Sequence, residues 1–183
     1  MSGIRRRHML MTSILVMALI LVVALPVQVN AASPCKGTWN GTIGPGSGTV
    51  SVLGSNQQIT TTSTVTGTFD GDTTHGTMVG TINTNYTVPS LSQKGQVSST
   101  VTGTYVMNVA PNGTVTGTGS IPLSGGFSGE FKASFQGQLS QSGTLTGTWS
   151  GTLTVTQVTY MGMGLGANIS APGSGQLTGT TQS

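Results

Sequence analysis

Apolar and hydroxyl-bearing residues alternate with a period of two along most of this chain after residue 31. In residues 145–155 the odd positions are Leu, Gly, Trp, Gly, Leu and Val, and the even positions are four threonines and a serine. The same alternation covers residues 59–69, 97–109 and 127–139. Successive side chains of a β-strand point to opposite faces, so this pattern is typical of strands with one buried face. It predicts an all-β fold.

Clusters of glycine, proline and asparagine separate the predicted strands. The candidate turns are 44–48, 54–56, 70–72, 89–95, 111–113, 124–126 and 141–143. Asn112-Gly113 is the strongest hairpin signal, because type I′ turns require a positive φ at both central residues. These turns predict about nine or ten strands of roughly 7–14 residues, with neighbours antiparallel. We expect an up-and-down meander that closes into a β-barrel or forms a two-layer β-sandwich.

Glycines interrupt the apolar face of these strands. They stand at Gly67, Gly103, Gly117, Gly129, Gly147 and Gly151. Glycine inside a strand often marks a bend, a bulge or a close approach of two backbones. Since the sequence has few charges to protect open sheet edges, we expect either closure of the sheet or exchange of strands between subunits.

The first 31 residues have the layout of a secretory signal peptide. Arg5–Arg7 precede an apolar run at 9–25, Pro26 ends that run, and Val29-Asn30-Ala31 provides a cleavage site. Cleavage there leaves one Gly/Thr/Ser-rich β domain, residues 32–183. We expect a secreted, extracellular or cell-surface protein, or a periplasmic one in a Gram-negative cell. A twin-arginine export route stays open. We expect contact with the membrane only through this signal segment, if it is not cleaved.

Charged residues are scarce after residue 31 and balance one another. They are Lys36, Lys94, Lys132, Asp70, Asp72 and Glu130. No arginine and no basic stripe remain to neutralise phosphates, so we expect no binding to nucleic acid. The single cysteine, Cys35, leaves no partner for an intramolecular disulfide.

Asp70, Asp72 and His75 form the one cluster of ionisable groups, and they are weak candidates for metal ligands. The alternative is a polar hairpin loop in which Asp70 and Asp72 make local turn hydrogen bonds. His75 is the sole histidine after residue 31, and no nucleophile motif precedes a helix. We therefore expect no enzyme and no cofactor. Four Asn-x-Ser/Thr motifs make candidate glycosylation sites of Asn40, Asn85, Asn112 and Asn168.

Gly37-Thr38-Trp39 resembles the Gly-x-Trp opening of lipocalin-like and avidin-like barrels, and Leu145–Trp149 is similar to avidin strands. The resemblance covers these two short segments. The arginine that braces lipocalin barrels has no counterpart after residue 31, and the tryptophan wall that holds biotin is reduced to Trp39 and Trp149. The resemblance therefore implies two large core residues, and it transfers no site.

These observations favour an exported, non-enzymatic cell-surface or extracellular protein with a structural or adhesive role. Self-association by strand exchange, or contact with other surface proteins, is the concrete form of that role. The run Met161–Leu165 is a candidate contact segment. The alternative is a monomeric lipocalin-like or avidin-like barrel that binds a small apolar ligand. A transmembrane barrel is disfavoured, because glycine dilutes the candidate lipid face and aromatic girdles are missing.

Overall fold

Eight antiparallel strands form a closed barrel in the computed structural model, which describes residues 32–160 and 163–182. The strands are β1 (Pro34–Val52), β2 (Ser55–Asp72), β3 (His75–Val88), β4 (Gln93–Val109), β5 (Thr114–Leu123), β6 (Phe127–Leu139), β7 (Thr144–Tyr160) and β8 (Met163–Thr181). Each strand pairs with the next, and β8 pairs with β1. The all-β meander is confirmed, and its closure selects the barrel over the sandwich. The predicted signal peptide, and Met161 and Gly162 of the contact segment, lie outside the described residues.

The turn predicted at 44–48 is wrong, because β1 continues through this segment. A register shift between Ile43 and Gly46 absorbs the extra residues as a β-bulge. The bulge also changes which positions face inward: Trp39 and Ile43 are buried before it, and Val50 after it. The barrel therefore has eight strands of 10–19 residues, fewer and longer than predicted.

The hairpin at Asn112-Gly113 exists, but its turn is not of type I′. The N–H of Gly113 donates to the carbonyl of Ala110 at 2.8 Å, and Gly113 has a φ of 82° while Asn112 has no positive φ. Pro111 fixes a negative φ at the first central position, so the connection is a type I turn followed by a left-handed glycine. The turn predicted at 70–72 lies two residues further on, because β2 continues to Asp72.

The predicted alternation holds along the strands, and the apolar face lines the inside of the barrel. Aromatic rings fill one half of the interior. Trp149 lies edge to face with Trp39 and with Phe131, at centroid distances of 6.3 and 5.4 Å. Tyr105 lies likewise against Phe69 and Phe135. This half is almost filled, since its cavity measures about 30 Å³, roughly enough for one water molecule.

Inward glycines make room for these rings. A Cβ atom at Gly67 would lie 2.5 Å from the indole nitrogen of Trp39, and one at Gly175 would lie 2.6 Å from that of Trp149. A Cβ at Gly117 would lie 2.2 Å from the ring of Phe135. The close approach predicted for the glycines is therefore made by aromatic side chains as well as by neighbouring backbone.

Hydroxyl-bearing residues cover the outer wall. Thr60, Thr62, Thr64, Thr66 and Thr68 of β2 are all exposed. No helix in 32–160 or 163–182 has the length and hydropathy needed to cross a membrane. The wall between the inner and outer faces thus separates an apolar interior from a surface of hydroxyl groups.

Candidate functional site

The end of the barrel beyond the aromatic rings, here called the closed end, contains the β2–β3 turn at Thr73-Thr74, in which Thr73 is 3% exposed. The N–H of Thr73 donates to the carbonyl of Ser33 at 2.9 Å, and the carbonyl of Thr74 accepts from Met107 at 2.7 Å. Below the turn, the Tyr105 hydroxyl donates to the carbonyl of Asp72 at 2.9 Å. The two backbone bonds continue the β1–β2 and β3–β4 ladders by one residue each, and the Tyr105 bond joins the end of β2 to the interior.

The other end, here called the mouth, contains a partly open cavity of about 380 Å³. Its lining is mainly apolar and comes from every strand except β5. The residues that define it include Ile59, Tyr86, Val88, Val97, Phe127 and Val158. Gln93 and Thr159 are the polar side chains among the lining residues besides the tyrosine hydroxyl. Pockets of this volume and composition are typical binding sites for small molecules.

Buried hydroxyl groups lie below the mouth, between it and the aromatic half. Ser63 and Thr84 are 4% and 5% exposed, and their hydroxyls lie 2.8 Å apart in a hydrogen bond. Thr61, Thr84 and Ser99 line a small cavity of about 20 Å³ at this level. Phe127 lines both this cavity and the mouth. The site is thus an apolar vestibule above a layer of hydroxyls.

The candidate metal ligands lie at the closed end and make local contacts. One oxygen of Asp72 accepts bonds from the backbone N–H groups of Thr74 and His75, at 2.7 and 2.9 Å, and from the Thr74 hydroxyl. The Thr74 hydroxyl bond and then the two N–H bonds lower the pKa of Asp72 to about 2. The carboxylate of Asp70 instead pairs with Lys36 at 3.0 Å.

This arrangement confirms the turn hydrogen bonds predicted for Asp72 and corrects those predicted for the Asp70 side chain. His75 Nδ1 lies 3.4 Å from the Asp72 carboxylate, so those two candidates come together without Asp70. Across the described ranges, no three His, Cys, Asp or Glu side chains converge in a group that could hold a metal ion. Asp72, Thr74 and His75 thus form the hydrogen bonds of the turn, and the Asp70 side chain lies outside this network.

Cys35 is a free thiol that is 1% exposed at the closed end. Burial, with a smaller contribution from the Asp72 carboxylate, raises its pKa to about 11. Burial is also the main cause that raises the pKa of Tyr105 above its ordinary range. Both groups are therefore neutral near pH 7 and belong to the packing of the closed end.

The remaining polar candidates lie on the outside of the barrel. Asn40, Asn85, Asn112 and Asn168 are exposed, and their glycosylation stays a prediction. Glu130 contacts Lys132 at 2.8 Å and accepts a hydrogen bond from Ser120 at 2.7 Å. The Lys132 and Ser120 bonds lower the pKa of the Glu130 carboxyl. This ion pair lies apart from the mouth.

Sequence reasoning missed the buried hydroxyl layer and most of the mouth. Thr61 and Ser63 occupy the odd positions of β2 that the alternation assigns to the inner face, so their parity was a usable signal. Tyr86 and Val88 come from β3, along which apolar and polar residues alternate less regularly in the sequence. No protein-family model matches the chain, and no curated protein is detectably similar to it in sequence.

Proposed function

We propose that this protein binds a small, uncharged, mainly apolar molecule in the mouth of its barrel. The observation that carries the proposal is the apolar cavity of about 380 Å³, which is partly open at one end of a barrel whose other half is almost filled by aromatic rings. A preformed apolar pocket gains binding free energy from burial of ligand surface without first having to fold. Export, which the pattern of residues 1–31 supports, belongs to the same proposal.

The side chains around the mouth define the ligand class. Among the described residues, no Asp, Glu, Lys or Arg lines the cavity, so a charged group would lose its hydration without gaining an ion partner. Gln93, Thr159 and the Tyr86 hydroxyl offer hydrogen bonds to a single polar group. Alcohols, ketones and esters with a hydrocarbon body satisfy both conditions.

Binding is tested with the full chain expressed in a host that exports it. Mass spectrometry of the purified protein establishes which residues it contains. The probe is Nile red, a neutral dye whose emission shifts in apolar surroundings. Val97→Trp fills the cavity from β4, and Val106→Trp adds the same ring on the outer face of that strand, where Val106 is 62% exposed. We expect saturable binding that Val97→Trp weakens about tenfold and Val106→Trp leaves unchanged. Equal binding by both variants contradicts the proposal.

A second candidate function is self-association, which is supported by an unpaired edge on β4. Although β4 begins at Gln93, its pairing with β5 spans Thr104–Val109. The ladder stops at Ser120 of β5, two residues before Pro122, which has no N–H to continue it. Residues 93–103 therefore pair with β3 on one side and have no ladder partner on the other within the described chain. Such an edge accepts a further strand.

A second copy of β4 fits this edge in an antiparallel register centred on Ser98. Lys94 then lies opposite Thr102 of the second copy, so the like charges stay apart. This two-fold pairing occupies the open β4 edge of each copy, so it gives a dimer rather than a filament. A structural or adhesive role at the cell surface follows from this candidate as a proposal of its own.

Charge reversal at the two-fold position tests the dimer. Ser98→Lys and Ser98→Glu each place like charges opposite one another, and an equimolar mixture restores opposite charges. Light scattering should report dimers for the natural chain, monomers for each variant and dimers for the mixture. Thr66→Lys, on a fully paired part of β2, is the charge control. A monomeric natural chain at every soluble concentration would end this candidate.

A further inference from the structure

Large apolar side chains are exposed at the turns around the mouth. Leu53 in the β1–β2 turn is 96% exposed, Leu91 in the β3–β4 connection 45%, and Met163 at the start of β8 57%. The turns of the closed end consist of Thr73-Thr74, Pro111–Gly113 and Gln141–Gly143. Exposed apolar tips thus occur at one end of the barrel and surround its cavity.

Leu53 occupies a backbone conformation that leucine disfavours. Its φ is 50°, and Gly54 follows with a φ of 80°, so the β1–β2 connection is a tight two-residue turn with positive φ at both positions. Asparagine, aspartate and glycine are the usual residues there. A bulky apolar residue that is both disfavoured by the backbone and almost fully exposed gains nothing for folding.

The charges of the barrel are distributed unevenly between the two ends. Asp70 and Asp72 lie at the closed end, and the Glu130 carboxylate is paired with Lys132 on the outer wall. Lys94, near the start of β4, is the one charged residue among the mouth-end turns and the strand ends beside them in the described chain. The rim therefore carries no carboxylate that phospholipid phosphates would repel.

We propose that the mouth docks on a phospholipid bilayer, with Leu53, Leu91 and Met163 inserted at the boundary between headgroups and acyl chains. Side chains inserted at this depth bind by burial of apolar surface. The three tips stand on separate turns around an opening. A fluid bilayer fills the space between such tips, whereas the rigid rim of a second copy would meet them at points. The inference rests on the proposed function in one respect. In the docked state the ligand cavity opens toward the acyl chains of the bilayer, in which apolar ligands dissolve.

Docking is tested by co-sedimentation of the full chain with sucrose-loaded phosphatidylcholine vesicles. The test variant is Leu53→Asn with Met163→Ser, because neither side chain lines the cavity, and asparagine suits a positive φ and should keep or raise the melting temperature. The control variant, Val79→Ser with Val106→Ser, removes exposed apolar side chains from the outer wall. We expect about a tenfold loss of vesicle binding for the test variant and none for the control. Addition of anionic lipid should change binding by less than about tenfold, since one lysine faces the bilayer.

Nile red binding without vesicles reports on the cavity separately from docking. A test variant that binds dye normally but no longer sediments with vesicles supports docking and leaves the proposed function intact. Failure of the natural chain to sediment, or equal losses in test and control variants, overturns docking alone. Lipid-independent dimers that Leu53→Asn abolishes would also overturn it, because the rim would then be an interface between copies.

Discussion

Trp39 and Trp149 meet edge to face inside the barrel, with ring centroids 6.3 Å apart, but their indole nitrogens differ in hydrogen bonding. The Trp149 N–H donates to the carbonyl of Asn40 at 3.0 Å. The Trp39 N–H is buried and has no acceptor among the described residues. Burial of an unpaired donor has a free-energy cost, so the two tryptophans contribute differently to stability although both are core residues.

Replacement of each tryptophan by phenylalanine should separate these contributions. Both variants lose a similar ring area. Trp149→Phe also removes the hydrogen bond that the indole N–H donates to the Asn40 carbonyl. We expect Trp149→Phe to lower the free energy of unfolding by about 1 kcal/mol more than Trp39→Phe does. Denaturant unfolding measures this difference. A larger loss for Trp39→Phe would contradict the assignment of the unpaired nitrogen.

The space that Gly67 leaves beside Trp39 can be tested by adding a methyl group at Gly67. A Cβ at Gly67 would approach the Val79 carbonyl to 2.4 Å and the Trp39 indole to 2.5 Å, whereas one at Gly166 meets nothing within 4 Å. Gly67→Ala should therefore destabilise the barrel by about 1–3 kcal/mol, as overpacked cores do. Gly166→Ala, the matched control, should leave the melting temperature nearly unchanged. Equal shifts in melting temperature for the two variants would show that the interior accommodates a methyl group at Gly67 without strain.

The sequence predicts the fold of this chain better than it predicts the candidate site, and the reason is physical. Strand parity is a local property, so the inward faces of β2, β4, β6 and β7 are readable from alternation alone. A β-bulge depends on the neighbouring strands, so the sequence of Gly44–Gly48 alone predicts a turn where the structure has a bulge. Cavities depend on side chains from many strands: Val97 and Phe127 are 30 positions apart in the sequence and line the same cavity.

Alkaline pH should destabilise the closed end through Cys35. The folded pKa is raised from 9.0 to about 11, so the stability that the neutral thiol contributes is present below pH 9 and is lost as the pH rises toward 11. Denaturant unfolding at pH 8 to 11 should show a falling free energy of unfolding. Cys35→Ala should lower stability at every pH but reduce the slope. An unchanged slope would mean that Tyr105, whose pKa is raised as well, accounts for the whole effect.

Acid pH should act on the same end through Asp72. Its folded pKa is lowered from 3.8 to about 2, so its contribution is present above pH 4 and is lost as the pH falls toward 2. Asp72→Asn keeps an oxygen that accepts the N–H bonds of the turn but has no charge to titrate. We expect the natural chain to lose stability over this range more steeply than Asp72→Asn does. Parallel pH profiles would remove Asp72 as the titrating group.

Phe127 should control how deeply a ligand enters the barrel, because it lines both the mouth and the small cavity beside the buried hydroxyls. Phe127→Leu shortens this side chain and should cost about 1 kcal/mol of stability while it joins the two cavities. A linear alcohol could then bond with the buried hydroxyls, so its affinity should rise relative to an alkane of equal length. Calorimetric titration of both ligands measures the ratio.

The control for that ratio is the variant that carries Thr84→Val beside Phe127→Leu. Valine preserves the shape of threonine but removes the hydroxyl that bonds to Ser63 at 2.8 Å. The alcohol should then lose part of its advantage, since fewer partners remain for its oxygen. An alcohol preference that is the same in the natural chain and in both variants would place the polar end of the ligand at the rim, where Gln93 and Thr159 lie.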